Sequence, residues 1–239
     1  MQKIITINEL NLQFGAKELI ADFSQSIYAG ERIAIIGRNG SGKSSLLKIL
    51  AQEIHDNAAQ LQSGLQLAYV PQLSDNNSRQ SGGERFNSNL SQALASYPDV
   101  LLLDEPTNHL DQHNRKSLIK LLHHFNGSLI IVSHDLELLN NCVDTLWHIN
   151  HGRVTVFNGK YSDYLQEQQL KQQNLLAQVA ELKQQQRTSH QSLMQEQQRA
   201  KNSRKQGEKS IVNRKWPTIT SQAKARRAEM TAGQKQRQM

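Results

Sequence analysis

A glycine-rich segment near the start of the chain has the residue types and spacing of a phosphate-binding loop. It follows the pattern G-x-x-x-x-G-K-S and consists of Gly37, Arg38, Asn39, Gly40, Ser41, Gly42, Lys43 and Ser44. The glycines let the backbone wrap closely around a phosphate, so that successive N–H groups converge on its oxygens at the start of a helix. Lys43 would then reach the β- and γ-phosphates of a nucleotide, and Ser44 would coordinate Mg²⁺.

Two acidic residues and a histidine follow apolar runs that are typical of buried strands. Asp104 and Glu105 come directly after the run at residues 100–103, and His134 follows the run at residues 128–132. Asp104 is suited to hold Mg²⁺, directly or through water, and Glu105 to orient or deprotonate an attacking water. His134 is in place to bond an oxygen of the γ-phosphate.

Three further candidates lie before or after predicted strands and helices. Gln72 is placed at the carboxyl end of a predicted strand, where α/β sheets keep their ligands. The residues that open the next helical segment are Ser81, Gly82, Gly83 and Glu84, and they form a second anion-binding device. Phe14 either stacks on an adenine ring or is a buried residue of a small antiparallel sheet.

Alternating strand and helix patterns must position these groups. Strands are predicted at residues 4–7, 10–14, 32–36, 65–70, 100–103, 128–132, 143–149 and 154–157. Helices are predicted at residues 43–51, in the segment that follows Glu84 and ends at Ala95, and at residues 112–124. Asp111 is the predicted N-cap of the last helix. Strands that alternate with helices, with antiparallel pieces at the start, predict an α/β fold with a mostly parallel central sheet and an antiparallel β subdomain.

The net charge of +7 is distributed unevenly. Residues 1–158 contain 12 Lys and Arg against 15 Asp and Glu, whereas residues 159–239 contain 16 against 6. The basic tail is either a polyanion-binding segment, because clustered cations release counterions from a phosphate backbone, or a solvated charged helix. We therefore predict two parts, a cassette at residues 1–158 and a basic helical extension at residues 159–239.

The tail has the pattern of long helices with a narrow apolar seam. Leu175, Val179 and Leu182 have helical spacing, but the stripe is too thin to make a core. Gly207 and the Trp216-Pro217 pair are expected to interrupt the pattern, so that a second helix starts near residue 218 and gives a hairpin-like extension. The end of the tail is either helical or disordered.

Cysteine content and hydropathy predict a cytoplasmic protein without membrane insertion. The single cysteine, Cys142, excludes an intrachain disulfide and is expected to be a small core residue. The first residues are polar and strand-like rather than typical of a signal peptide. No apolar stretch approaches the roughly 18 to 20 residues that a bilayer requires.

The ordered set of motifs over residues 1–158 resembles the ATP-binding cassette superfamily. In chain order these are Walker A at 37–44, the Q-loop at Gln72, the signature at 81–84, Walker B with its glutamate at 101–105, the D-loop at Leu110-Asp111 and the switch histidine His134. The string at residues 104–111 resembles the ABC-F branch, whose members are soluble, act on ribosomes and carry two cassettes in one chain. Residues 158–164 resemble the start of the linker between those cassettes.

The resemblance implies ATP hydrolysis with Mg²⁺. The implied ATP-binding residues are Phe14, Gly37, Arg38, Asn39, Gly40, Ser41, Gly42, Lys43, Ser44, Ser45 and Gln72. The implied metal-binding residues are Ser44, Asp104 and Gln72, and the implied catalytic residues are Lys43, Glu105 and His134. The implied partner is a second cassette, in a homodimer or on another chain. The signature at residues 81–84 would complete the ATP site of that cassette. Residues 159–239 are expected to contact the ribosome, through rRNA or tRNA.

The chain also departs from the family pattern. Only residues 73–80 separate the Q-loop from the signature, where the family has a helical subdomain of several dozen residues. Asn87 and Gln92 stand where arginines are usual, and the sequence ends before a second cassette. Two alternatives therefore stay open: the nucleotide-binding subunit of a membrane transporter, and a degenerate module that binds ATP without turnover.

Overall fold

A six-stranded sheet forms the centre of the first part of the chain. The computed structural model describes residues 2–54, 56–72 and 81–212. In order across the sheet, the strands are β5 Leu67–Val70, β6 Val100–Asp104, β7 Ser128–Val132, β3 Arg32–Gly37, β8 Thr145–Asn150 and β9 Arg153–Asn158. The first five are parallel and β9 pairs antiparallel to β8. The carboxyl ends of the parallel strands therefore meet at one edge of the sheet.

A second, antiparallel sheet has the order β2-β1-β4, with β1 Lys3–Phe14, β2 Lys17–Tyr28 and β4 Ala59–Leu61. The prediction of two short strands before residue 15 is wrong, because β1 is continuous. The polar residue Glu9 lies at a shift of the β1–β2 register, has φ of 48° and donates its backbone N–H to the Ser24 hydroxyl at 2.8 Å. A bulge of this kind interrupts the apolar pattern without ending the strand.

Four helices cover the two faces of the central sheet: α1 Lys43–Leu50, α2 Gly82–Ala95, α3 Gln112–His123 and α4 Leu136–Cys142. Side chains of α1 pack with those of the antiparallel sheet on one face, and side chains of α2, α3 and α4 pack on the other. All residues of β6 and β7 are buried, as the apolar runs predicted for strands covered on both faces. Cys142 is buried in the second of these clusters, as expected.

The chain continues as one long helix, α5 Tyr161–Val212. Contacts divide the chain into two compact units, Met1–Lys171 and Gln172–Met239. Gly207 lies inside α5, so the prediction that it interrupts the helix is wrong. A single glycine costs a helix only about 1 kcal/mol. Trp216 and the second helix predicted near residue 218 lie outside the described residues.

The predicted fold class is confirmed: an α/β cassette with a mostly parallel sheet, an antiparallel sheet and a long helical extension. The boundary after residue 158 stays a prediction, and residues 73–80 lie outside the part of the chain that the structure describes. Among the helices of the described residues, none combines the length and the apolar character that a bilayer crossing requires.

Candidate functional site

The loop between β3 and α1 is compact because two of its glycines occupy positions that a side chain would not fit. At Gly37, an added Cβ would lie 2.6 Å from the carbonyl oxygen of Ile149. At Gly42, φ is 100°, and an added Cβ would lie 3.1 Å from Leu12 and 3.2 Å from Leu19. Both the backbone conformation and the space therefore require glycine at residue 42. This residue is the N-cap of α1, so the loop delivers the amino end of that helix to the edge of the sheet.

Lys43 is held inside this loop rather than extended into solvent. Its side-chain Nζ donates to the carbonyl oxygens of Gly37 at 2.9 Å and Arg38 at 3.1 Å, and the residue is 7% exposed. Burial lowers the pKa of the Lys43 ammonium, and the carboxylates of Glu105 and Asp104 oppose that shift. The loop thus places the Lys43 ammonium beside the backbone N–H groups at the start of α1, where an anion can bind.

Asp104, the last residue of β6, is a buried carboxylate without full hydrogen bonding. It is 3% exposed, and its Oδ1 has no hydrogen-bond partner among the described residues. Burial raises the pKa of the Asp104 carboxyl, whereas a hydrogen bond from the Ser44 hydroxyl and the charges of Lys48 and Lys43 oppose the shift. A buried, incompletely satisfied carboxylate beside a serine hydroxyl is the donor set that a hard divalent cation prefers.

Glu105 is fixed at the end of β6 by an unusual backbone conformation. Its φ is 48°, in the left-handed region, and its N–H donates to the Val132 carbonyl oxygen at 2.8 Å. The His134 Nε2 lies 3.5 Å from Glu105 Oε1. Burial raises the pKa of Glu105, while the charges of His134 and Lys43 oppose the shift. Strained conformations of non-glycine residues cost about 1 to 3 kcal/mol and are concentrated at functional sites.

A cavity of about 710 Å³ brings most of the predicted residues together at this edge. Its lining is Phe14, Lys17, Leu19, Asn39, Gly40, Gly42, Lys43, Ser44, Ser45, Gln72, Glu105, Asn108, Val132 and His134. Phe14 is 79% exposed, so the alternative that it is a buried residue is wrong. Among the described residues, the lining does not include the predicted residues Gly37, Arg38, Ser41 and Asp104.

Three residues that line the cavity were not predicted from the sequence: Lys17, Leu19 and Asn108. Lys17 opens β2, and its Nζ donates to the Gly40 carbonyl oxygen at 3.5 Å. Leu19, two residues further on, packs against Gly42. Asn108 belongs to the loop after β6. The hairpin turn after Phe14 was the signal for the first two, because antiparallel pairing returns β2 past the same edge.

The predicted signature residues lie apart from this cavity. The Ser81 hydroxyl accepts from the Glu84 N–H at 3.2 Å, and the Glu84 carboxylate accepts from the Ser81 N–H at 2.9 Å, which makes a capping box at the start of α2. Gly82 and Gly83 pack against His109; an added Cβ at Gly82 would lie 2.7 Å from its Cβ. The structure therefore brings the signature to the loop after β6.

Asp111 is the N-cap of α3, as predicted. Its carboxylate accepts a hydrogen bond from the Asn114 N–H at 2.7 Å. This capping role accounts for Asp111 within the chain, and it fixes the end of the loop that packs against the signature.

Comparisons with known proteins agree with this architecture. The family model described as "ABC transporter" matches residues 20–68. The erythromycin resistance ATP-binding protein MsrA of Staphylococcus epidermidis is 36% identical over 172 residues, covering 61% of this chain and 35% of that protein. The ribosome protection protein VmlR of Bacillus subtilis (strain 168) is 31% identical over 195 residues, covering 72% of this chain and 36% of that protein.

Solved structures share the fold. The crystal structure of a nucleotide-free ATP-binding cassette from an ABC transporter superposes with a TM-score of 0.58 at 14% identity, covering 66% of this chain and 92% of that one. The chain spans about a third of the length of the curated relatives it matches. The solved structures show the fold alone, whereas the family model and the sequence relatives, together with the motif order, establish the family. The chain belongs to the ATP-binding cassette superfamily, and its relatives are proteins of the ABC-F branch.

Proposed function

We propose that the chain is an ATP-binding, Mg²⁺-dependent ATP-hydrolysing cassette of ABC-F type. One observation carries this proposal: a single cavity is lined by the loop lysine Lys43, the strand-end carboxylate Glu105 and His134. Phosphoryl transfer to water needs a cation for the phosphates, a group that orients water and a group that bonds the γ-phosphate. These are the three functions that the lining supplies, and Phe14, exposed at the rim, offers a face for the adenine ring.

The donor set fits Mg²⁺. Ser44 and Asp104 already share a hydrogen bond, the Asp104 Oδ1 lacks a partner, and Gln72 lines the same cavity. These residues would hold the ion. When bound, Mg²⁺ neutralises charge that develops on the phosphate oxygens.

The side chains of Lys43, Glu105 and His134 bind the phosphates and activate the attacking water. Lys43 leaves the carbonyl oxygens of Gly37 and Arg38 and donates to the phosphates in their place. Glu105 accepts a proton from the attacking water, and burial favours this because it raises the pKa of the carboxyl toward neutrality. His134, whose side chain is 55% exposed, donates to the γ-phosphate and keeps contact with Glu105.

We further propose that hydrolysis requires a second cassette. Residues 81–84 of the described chain do not line its cavity, so a signature for this site would come from another copy or another chain. The rate of ATP hydrolysis per chain should therefore rise with protein concentration at saturating Mg²⁺ and ATP. Phosphate release measured over a hundredfold range of concentration tests this. A constant rate would argue against the dimer, and no release at any concentration would favour the ATP-binding module.

The basic extension is proposed to bind the ribosome through rRNA or tRNA. The relatives include a ribosome protection protein and an erythromycin resistance protein. On α5, the cations Arg199, Lys201, Arg204 and Lys205 are exposed. An exposed cluster of like charges on one helix supports electrostatic binding to a nucleic acid backbone.

Removal of two positive charges from the basic extension should weaken ribosome binding and make that binding less dependent on salt concentration. We compare Arg204→Gln/Lys205→Gln with a control of equal net charge, Lys116→Gln/Lys120→Gln on the exposed side of α3. Each lost phosphate contact lowers the slope of log affinity against log salt by about 0.7 to 0.9. Co-sedimentation with ribosomes, with and without ATP, should show a slope lower by about 1 to 2 for Arg204→Gln/Lys205→Gln alone. An equal loss of ribosome affinity in both variants would indicate a net-charge effect and contradict the proposed role of the basic extension.

A further inference from the structure

The hydroxyl of Tyr69 is a buried polar group that the proposed mechanism does not use. It has no hydrogen-bond partner among the described residues. Tyr69 lies on β5 opposite Leu102 of β6, and its ring packs against the apolar cluster on the α1 face of the sheet. Buried tyrosine hydroxyls normally find a partner, so an unpartnered one calls for a water or a ligand.

A second unpartnered polar atom, Asp104 Oδ1, lies on the same face. Leu102 and Asp104 are two residues apart on β6, so their side chains leave the sheet on the same side, and Leu102 is the cross-strand neighbour of Tyr69. Burial raises the pKa of the Tyr69 hydroxyl, and the nearby carboxylates of Asp104 and Glu53 raise it further. The Tyr69 hydroxyl, a hydrogen-bond donor without an acceptor, thus lies near Asp104 Oδ1, an acceptor without a donor.

We propose that the Tyr69 hydroxyl positions the Asp104 carboxylate for Mg²⁺ by donating a hydrogen bond to a water that in turn donates to Asp104 Oδ1. A hydroxyl can donate and a carboxylate oxygen can only accept, so one water satisfies both. The Ser44 hydroxyl holds the same carboxylate from α1. The carboxylate is then oriented from two sides, by a helix and by a neighbouring strand.

This inference rests on the proposed function and concerns a positioning residue rather than a catalytic one. Partners that orient a metal-binding group change metal affinity by about 10-fold to 100-fold when removed. The effect of Tyr69 should therefore appear in the Mg²⁺ dependence of ATP binding. It should not appear in ATP binding without metal, because Tyr69 does not line the cavity.

The test is the variant Tyr69→Phe, which keeps the ring and removes the hydroxyl. We expect the Mg²⁺ concentration for half-maximal stabilisation of bound ATP to rise about tenfold, while ATP affinity in EDTA changes less than about twofold. The melting temperature of the nucleotide-free protein should change little, because the proposed hydrogen bond of the hydroxyl goes to a water and not directly to a protein group. Tyr97→Phe is the matched control, since Tyr97 is 89% exposed.

A double-mutant cycle shows whether Tyr69 acts through Asp104. In an Asp104→Glu background, which keeps an anionic metal ligand but moves its oxygens, Tyr69→Phe should cause no further shift in Mg²⁺ dependence. An equal shift in both backgrounds, or an unchanged Mg²⁺ dependence in the single variant, overturns the inference. Wild-type protein that takes up ATP without any effect of Mg²⁺ overturns the proposed metal site, and this inference with it.

Discussion

Glu105→Gln is expected to lower the rate of ATP hydrolysis by about 10² to 10⁴-fold, the usual contribution of a general base. Glutamine keeps the size of the side chain and a hydrogen-bond acceptor but cannot take a proton from water. Because Glu105 lines the cavity but the residues proposed to bind the phosphates are Lys43 and Ser44, ATP binding with Mg²⁺ should be retained within about threefold. Single-turnover phosphate release and equilibrium ATP binding, measured on the same preparation, separate the two effects.

The matched control is Glu18→Gln, an exposed glutamate on β2. It should leave both rate and affinity unchanged. Phosphate release that is equal in Glu105→Gln and in the wild type would remove Glu105 from the mechanism, whereas parallel loss of ATP binding would make its role structural.

The pH profile follows from the same carboxyl. Burial raises the pKa of Glu105, so the proton that blocks a general base is lost at a higher pH than for an exposed glutamate. The acidic limb of the rate profile should therefore lie above the ordinary range of glutamate titration and be absent from the residual activity of Glu105→Gln.

The positions of the site residues could be predicted because they follow fully apolar strands. The runs that became β6 and β7 are buried on both faces, and such strands belong to the middle of a parallel sheet. Their carboxyl ends must then share an edge with the loop after β3. This geometry alone brings Lys43, Glu105 and His134 together.

Other features depended on tertiary contacts that no local pattern records. The helix α4 has seven residues and β4 has three, too few to show a periodicity. The exposure of Phe14 is determined by how β1 and β2 end, not by its neighbours in sequence. The missing hydrogen bonds of Tyr69 and Asp104 likewise became visible only when β5 was paired with β6.

Asp104→Asn should change stability and metal binding in opposite directions. Burial raises the folded-state pKa of the Asp104 carboxyl above its unfolded value, so the folded protein binds that proton more tightly. Stability from this group is present below the unfolded pKa and lost as pH rises through the folded pKa. At neutral pH the buried charge, which the Ser44 hydroxyl, Lys43 and Lys48 only partly compensate, therefore destabilises the nucleotide-free protein, and a neutral asparagine removes that penalty.

We expect Asp104→Asn to stabilise the nucleotide-free protein by about 1 to 3 kcal/mol at neutral pH, the usual cost of an unsatisfied buried polar group. Each kcal/mol raises the melting temperature by about 2 to 4 °C for a domain of this size. The gain should shrink at acidic pH, where the wild-type carboxyl is protonated. The additional stabilisation that Mg²⁺ gives to the ATP complex should disappear, because the metal loses an anionic ligand.

The exposed Asp144 provides the control, because Asp144→Asn should alter neither quantity. Melting curves with no ligand, with ATP in EDTA and with ATP and Mg²⁺ distinguish the outcomes. A lower melting temperature for nucleotide-free Asp104→Asn would mean that Ser44 and the nearby lysines stabilise the carboxylate by more than its burial costs. An undiminished Mg²⁺ effect would mean that the ion binds elsewhere. The predicted pair of results, a more stable free protein and a lost metal effect, is expected only if the cassette keeps Asp104 buried and charged for the ion.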